Sequence, residues 1–180
     1  MEFVQPIRDR QKLAELKAVL AESSDRNRML FVCGIHTGLR ISDLLKLRVR
    51  DVQGDYIDIR EQKTGKRVRR LISTSLRKEL NRYTRDKDGR VYLFRSRLGA
   101  NQPLTRSGAY KLLRKAAESV GLQNIGTHTL RKTFGYMMYQ REKNVARLQE
   151  LLNHSSPSVT LRYIGVNQDD LDESMKEIDW

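Results

Sequence analysis

The sequence predicts a mainly α-helical fold with one small antiparallel β-sheet, in the α+β class. Most of the chain places its apolar residues three and four apart, the period of an amphipathic helix. Residues 56–60 instead alternate apolar and polar residues, residues 68–72 are a second β-prone run, and Lys63-Thr64-Gly65-Lys66 between them marks a turn. The 180 residues fit a single domain with one core, and we assign residues 1–180 to it.

The first two predicted helices carry clear end signals. Residues 8–22 place Leu and Val along one side, and Asp9 can cap the first turn by accepting its N–H groups. Residues 26–36 form the second helix, which should stop before Gly38 because glycine adopts positive φ at helix ends. The single cysteine, Cys33, lies in an apolar run of this helix and is expected in the core, so no internal disulfide can form.

The next segment changes from helix to strand. Residues 40–47 are predicted to be helical, with Ser42 or Asp43 capping the first turn. Residues 56–60 and 68–72 then form strands joined by the glycine turn. An earlier glycine marks a second turn, which leaves the choice between two and three strands open.

The remainder is predicted to be helical apart from one short extended piece. Ser155-Ser156-Pro157 is a strong helix start, because serine caps the first turn and proline is favoured at the first helical position. Gly121 is expected to close an earlier helix. The elements predicted after the hairpin are a helix at 75–85, an extended piece at 91–94, and helices at 105–120, 129–143, 145–152, 157–165 and 168–178.

Positive charge is concentrated in the body of the chain. The whole sequence carries +13, while the acidic C-terminal tail at 166–180 has six acids against Lys176, a net of −5, so the preceding residues carry +18. A domain this basic is typical of nucleic-acid-binding proteins, although a ribosomal-type or merely solubilising charge has the same composition. The N-terminus has no apolar signal region and no segment is long enough to span a bilayer, so we expect a cytoplasmic protein without a membrane partner.

The predicted helix at 105–120 has an apolar stripe and a basic face. Alanine and leucine recur along the stripe at helical spacing, which indicates a packed side. The basic face either lies in a DNA major groove or is simply solvated. The residues that it offers for DNA binding are Arg106, Tyr110, Lys111, Arg114 and Lys115.

Residues 127–165 contain the spacing that points to chemistry. His128 precedes Arg131 by three residues, which brings both to one face of a helix start. His154 follows 23 residues after Arg131, and Tyr163 nine residues after that. Such a set suits a site that grips a phosphodiester and attacks it with a phenolic oxygen.

Phosphodiester cleavage by a tyrosine makes definite demands on its surroundings. Negative charge builds on the phosphate, and Arg40 and Arg131 are candidates to meet it because a guanidinium stays charged and binds two oxygens. A phenol has a pKa of about 10, so the attacking tyrosine needs a base or cationic surroundings. His128 can assist proton movement at the nucleophile. The leaving 5′-oxygen needs a proton, which Lys63 at the hairpin tip can deliver, and His154 can donate to a non-bridging oxygen.

Each of these residues also has an ordinary structural explanation. A histidine beside a helix cap, as His154 is, is often a capping or surface residue, and Tyr163 at helical spacing from Val159 is typical of a core. The two arginines can be salt-bridge partners, and Lys63 can be a turn lysine. Only the joint pattern favours the catalytic interpretation.

The joint pattern resembles the tyrosine recombinases, the phage-integrase family, over most of the chain. The stretches that match in order and in spacing are Gly38-Leu39-Arg40 with Asp43, the Lys63 hairpin, His128-x-x-Arg131, Leu152-Asn153-His154-Ser155 and Arg162-Tyr163. The resemblance implies a catalytic domain of the DNA breaking-rejoining fold, with helices around a small sheet. It also implies that the function is site-specific recombination of DNA.

The resemblance further implies how such a site works. Tyr163 would attack a DNA phosphate to give a 3′-phosphotyrosyl link and a free 5′-hydroxyl. The residues that would assist it are Arg40, Lys63, His128, Arg131 and His154, with Asp43 as a supporting carboxylate. Because the covalent link conserves bond energy, neither a nucleotide cofactor nor a metal is implied. In free domains of this family the nucleophile segment is often displaced, so the position of Tyr163 without DNA is left open.

The implied partners are double-stranded DNA and further copies of the chain, as a tetramer on DNA, with a monomer in solution left open. Family members commonly have a separate N-terminal helical domain, and the 37 residues before Gly38 are too few for it. We therefore expect a short member or an excised catalytic fragment. It should bind DNA weakly, with roughly 6–10 phosphate contacts and an affinity that falls about 10³–10⁵-fold between 50 and 200 mM salt.

Two questions about function and assembly are left open by the residues. The acidic tail either folds back on its own basic body or docks on a neighbouring protomer. A DNA-binding protein of the same fold without catalysis, and a type IB topoisomerase-like enzyme, are the alternatives to a recombinase.

Overall fold

The computed structural model describes residues 4–166 and Met175. The elements in this part of the chain are α1 Arg10–Ser23, α2 Asp25–Thr37, α3 Ile41–Leu44, a 3₁₀ turn Val49–Val52, β1 Tyr56–Arg60, β2 Arg67–Leu71, α4 Thr74–Thr84, α5 Arg106–Ser119, α6 Thr129–Glu142, α7 Val145–Leu152 and α8 Pro157–Ile164. The predicted mainly helical fold with a small antiparallel sheet is confirmed. Across these residues no helix has both the length and the apolar character needed to cross a membrane. The acidic helix predicted at 168–178 lies outside the described residues, apart from Met175.

Predicted capping residues begin several of the helices. The Asp9 carboxylate accepts the Gln11 N–H at 2.7 Å at the start of α1. The Ser156 hydroxyl accepts the Val159 N–H at 3.3 Å at the start of α8, with Pro157 in the first helical position. These bonds satisfy N–H groups that have no acceptor inside their own helix.

The helix predicted at 40–47 is wrong in its length and in its cap. It ends at Leu44, after which the chain tightens, and the N–H of Leu47 bonds back to the Leu44 carbonyl at 3.2 Å. No side chain caps α3, because the Asp43 carboxylate turns inward and accepts the N–H of Gln62 at 3.0 Å. Asp43 thus binds the hairpin instead of its own helix end.

Strands β1 and β2 form a two-stranded antiparallel sheet, with Ile57 opposite Arg70. Inward positions alternate with exposed ones along both strands, so one face of the hairpin packs on the core. The extended piece predicted at 91–94 does not join this sheet. It lies against the chain before the 3₁₀ turn through an isolated bridge between Arg48 and Tyr92.

Two apolar clusters form the core, and α6 touches both. The larger cluster gathers side chains from the first five helices and the hairpin, including Phe31 and Phe94. The smaller cluster lies among α6, α7 and α8 and includes Ile164. Leu130 belongs to the larger cluster and Phe134, one turn later on α6, to the smaller. The residues between them therefore lie where the two clusters meet.

Helices α2 and α6 approach closely because α2 offers glycine at the contact. A Cβ on Gly34 would lie 2.5 Å from Leu130 Cδ1, and one on Gly38 would overlap the Phe134 ring. Gly38 also has a φ of 61°, a left-handed conformation that glycine adopts without strain. The close approach brings the end of α2 within reach of side chains on α6.

Candidate active site

Arg131 lies in the first turn of α6, where the two clusters meet, and only 3% of it is exposed. Its Nη1 donates to the Gly38 carbonyl at 2.6 Å and its Nη2 to the Leu152 carbonyl at 2.7 Å. Both carbonyls stand at helix C-terminal ends, where intrahelical donors are absent. Burial lowers the pKa of Arg131, but from so high a value that the guanidinium stays charged. The chain therefore holds a fixed, desolvated cation here.

Arg40 lies at the start of α3, beside an open cleft. Its guanidinium, 16% exposed, forms an ion pair with the buried carboxylate of Glu61, which follows β1. The cleft has a volume of about 430 Å³ and is lined by Arg40, Ile41, Ser42, Gln62, Lys63, Arg106 and His128. Three of the predicted catalytic side chains therefore line one cleft.

Lys63 and His128 line this cleft from two different parts of the fold, the hairpin turn and the start of α6. Lys63 is exposed on the hairpin turn, which is closed by a 2.8 Å bond from the Gly65 N–H to the Glu61 carbonyl. His128 is the exposed residue before α6. Partial burial of the ring, with the nearby charge of Arg106, lowers the pKa of His128. At neutral pH this imidazole is neutral, the form that can accept a proton.

His154 follows α7 and faces α8. Its Nδ1 lies 3.2 Å from the Thr160 Oγ1, and that hydroxyl donates to the Ser156 carbonyl at 3.0 Å. Because the hydroxyl hydrogen is used on Ser156, we assign the imidazole hydrogen to Nδ1, which leaves Nε2 of the neutral ring without one. Burial, together with the charges of Arg131 and Arg40, lowers the pKa of His154 to about 4.

Tyr163, on α8, lies beside His154, and the charges of Arg131 and Arg40 act on its hydroxyl group. The two rings meet edge to face, with centroids 4.9 Å apart and planes at 72°. The hydroxyl oxygen is buried, and burial raises the pKa of Tyr163 while the charges of Arg131 and Arg40 oppose the rise. The phenol is therefore protonated at neutral pH.

The predicted catalytic residues thus form two groups that share Arg40. One group contains buried Arg131 with half-buried His154 and Tyr163, while the other lines the open cleft and contains Lys63 and His128. Asp43, 4% exposed, supports the hairpin behind them through Gln62. Among residues 4–166 and Met175, no group of three or more His, Cys, Asp or Glu side chains could hold a metal ion.

The basic face predicted on α5 is divided between two places. Arg106, at its start, lines the cleft. Arg114 lies two turns further along and donates to Glu118 and to the Tyr110 hydroxyl, both at 2.9 Å. The remaining predicted DNA contacts are the exposed side chains of Lys111 and Lys115. The structure thus brings one member of this face to the site and leaves the others along the surface.

Sequence reasoning did not select two charged residues that lie beside the site, Glu61 and Arg70. Glu61 continues the inward alternation that begins at Ile57 and is 1% exposed. Arg70 donates to the Thr37 carbonyl at 3.2 Å and to the Leu151 carbonyl, so it joins the ends of α2 and α7. The signal for both was a charged residue at an inward-facing position of a hairpin.

Comparison with known proteins identifies the family. Residues 9–170 match the sequence profile of the "Phage integrase family". The chain belongs to the phage integrase family. This integrase is 50% identical over 170 residues to the probable integrase/recombinase YoeC of Bacillus subtilis (strain 168), a match that covers 94% of this chain and 93% of that protein.

Solved structures share the fold of this integrase. The crystal structure of XerA recombinase matches with a TM-score of 0.75 and 22% identity, over 98% of this chain and 65% of that one. A lambda integrase tetramer bound to a Holliday junction matches with a TM-score of 0.72 and 18% identity, over 91% of this chain and 49% of that one. The integrase is thus similar to about half to two thirds of those longer chains.

Proposed function

We propose that this integrase is a site-specific DNA recombinase that cleaves and rejoins strands through Tyr163. The observation that carries the proposal is a phenol with a buried hydroxyl oxygen, placed in the electrostatic field of two held guanidiniums, those of Arg40 and Arg131. A phosphate under attack gains negative charge, and preorganised cations stabilise that transition state more than the ground state. An ordinary core tyrosine has no need of two arginines.

Cleavage exchanges one phosphoester bond for another. The Tyr163 oxygen attacks phosphorus and the bond from phosphorus to the 5′-oxygen breaks, which leaves a 3′-phosphotyrosyl link. The phenol proton passes to a base, for which neutral His128 is the candidate, and Lys63 gives its proton to the leaving 5′-oxygen. Rejoining is the reverse reaction, with a 5′-hydroxyl of another strand as the attacking group.

His154 changes its protonation state when DNA arrives. In the free protein its Nε2 lacks a hydrogen, so it cannot donate to a phosphate. A bound phosphate places negative charge beside the ring, which raises the pKa of His154 from about 4 and favours the imidazolium. The protonated Nε2 then donates to a non-bridging oxygen.

Double-stranded DNA is the proposed partner, and the enzyme acts on it as a tetramer. The body of the chain is strongly basic, and lambda integrase, which shares the fold, was solved as a tetramer on a Holliday junction. Residues 1–180 act as a single catalytic domain in this proposal. We place the enzyme in the cytoplasm, with its DNA substrate.

Covalent trapping tests the proposal. Supercoiled plasmid carrying the DNA that flanks this gene is incubated with the protein in EDTA at low salt and quenched with detergent. We expect a protein–DNA adduct at Tyr163 that disappears in Tyr163→Phe. The matched control is Tyr139→Phe, which removes a phenol from α6, outside the site, and should keep the adduct.

Two results would contradict the assignment. An adduct that persists in Tyr163→Phe would show that another nucleophile reacts. Intact DNA binding without any adduct in the wild-type protein would favour a DNA-binding protein of the same fold without catalysis.

A further inference from the structure

Glu61 is a buried carboxylate with a separate partner on each oxygen. Only 1% of the residue is exposed, and a buried carboxylate is costly unless it is paired and hydrogen-bonded. One oxygen pairs with the guanidinium of Arg40. The other accepts the Thr64 hydroxyl hydrogen at 2.8 Å. The carboxylate thus connects the start of α3 to the hairpin turn.

The main chain of Glu61 closes the same turn. Its N–H donates to the Lys66 carbonyl at 2.9 Å, and its carbonyl accepts the Gly65 N–H at 2.8 Å. These bonds bracket Lys63, the candidate proton donor. A shift of Glu61 would therefore move the turn that carries Lys63 as well as the guanidinium that it pairs with.

Glu61 also balances charge inside the site. Arg40, Arg70 and Arg131 act on one another electrostatically, and the buried carboxylates of Glu61 and Asp43 are among the groups that offset them. Burial alone would raise the pKa of Glu61, but hydrogen bonds to its oxygens and the arginine charges hold it below its usual range. The Glu61 carboxylate is therefore ionised. The three arginines and the two carboxylates together then carry one net positive charge, which is available to a phosphate.

We infer that Glu61 is a positioning residue for strand cleavage. One carboxylate oxygen orients Arg40 toward the phosphate, and the other holds the turn that presents Lys63. The inference rests on the proposed function, since it concerns the step that Tyr163 begins. Because only 1% of Glu61 is exposed, it is not placed to contact DNA, and its loss should slow cleavage without weakening attraction to DNA.

Glu61→Gln is the variant that tests the inference, because it keeps the shape and removes the charge. Asp58→Asn is its matched control on β1, where the carboxylate pairs with Arg67 on the exposed face at 2.8 Å. Two quantities are compared: the affinity for a short duplex cut from the plasmid, and the first-order rate of adduct formation at saturating protein. A misplacement of about 1 Å can reduce a rate about 10²-fold, which is the fall expected for Glu61→Gln. Asp58→Asn should cleave at the wild-type rate.

A sulfur substitution separates the two links of Glu61. A duplex whose cleavage site has sulfur in place of the leaving 5′-oxygen releases a thiolate, which needs no donated proton because a thiol has a pKa of only about 8.5. On this substrate the part of the Glu61→Gln defect that acts through Lys63 should vanish, while the part that acts through Arg40 remains. Glu61→Asp, which restores the charge on a shorter side chain, should recover part of the rate on the normal substrate.

The outcomes are distinct. Slow cleavage at saturation with unchanged duplex affinity, by a variant whose thermal midpoint stays above the assay temperature, supports a positioning role. Wild-type cleavage by Glu61→Gln, or a loss of affinity in parallel with the rate, would overturn it. If the sulfur substrate recovers none of the rate, the link to Lys63 is wrong. If the wild-type protein forms no adduct, the proposed function fails first and the inference falls with it.

Discussion

The protein holds positive charge in two different ways, inside the site and along the surface of α5. Arg131 is buried, and its guanidinium is held by two backbone carbonyls. Lys111 and Lys115 are exposed, and Arg114 pairs with Glu118 in solvent. Charges in a desolvated site interact strongly and are poorly screened, whereas surface charges are weak and sensitive to salt. The buried arginine is suited to stabilise negative charge that develops on one phosphate. The exposed basic residues of α5 are suited to attract a polyanion.

The largest effect is expected from Arg131→Ala. The phosphate loses a fixed cation, and loss of one such donor reduces cleavage about 10²–10³-fold. The Gly38 and Leu152 carbonyls also lose their donor, at about 1–3 kcal/mol of unfolding free energy for each group left unpaired. The trapping assay measures the first loss and urea unfolding measures the second.

The surface control for Arg131→Ala is Lys115→Gln. Removal of one phosphate contact should reduce the slope of log affinity against log salt by about 0.9. Stability should change by less than about 0.5 kcal/mol, as for most surface substitutions. If Arg131→Ala changed only this salt slope and kept its cleavage rate and stability, the distinction between interior and surface charge would be wrong.

A smaller effect is expected from the pH dependence of stability. The pKa of His154 is about 4 in the folded protein, against about 6.5 for an unperturbed histidine. Between these values the unfolded state binds more protons, so this contribution is present above pH 6.5 and is lost as the pH falls toward 4. His154→Gln lacks it, so the wild-type protein should lose more stability than the variant over that interval. Urea midpoints for both proteins check this, and parallel pH curves would contradict the assignment.

Local signals predicted most of the fold because they act within a few residues. Asp9 and Ser156 cap their helices and Gly38 ends α2, each through bonds to its immediate neighbours. The cap predicted for the helix at 40–47 is absent because Asp43 binds the hairpin instead, about twenty residues away along the chain. Spacing within a segment cannot show that competition.

The residues of the candidate site also separate into those that sequence spacing predicts and those that depend on distant partners. Sequence spacing selected the residues that the structure gathers around Arg40, and their catalytic roles stay predictions. Spacing did not select Glu61 or Arg70, because a charged side chain on an inward face is stable only with distant partners. Those partners, which include Arg40 for Glu61 and the Leu151 carbonyl for Arg70, become neighbours only in the fold. Alternation alone would have flagged the two positions without explaining them.

The most direct test of the account is the salt dependence of cleavage at saturating wild-type protein. Binding should weaken about 10³–10⁵-fold between 50 and 200 mM salt if roughly 6–10 phosphates are contacted. The first-order rate of adduct formation on DNA already bound should change little, because Arg131 is buried and Arg40 is largely shielded, so both cations are poorly screened. A rate at saturation that falls in parallel with affinity would contradict the account, since it would show that surface charge also drives the chemical step.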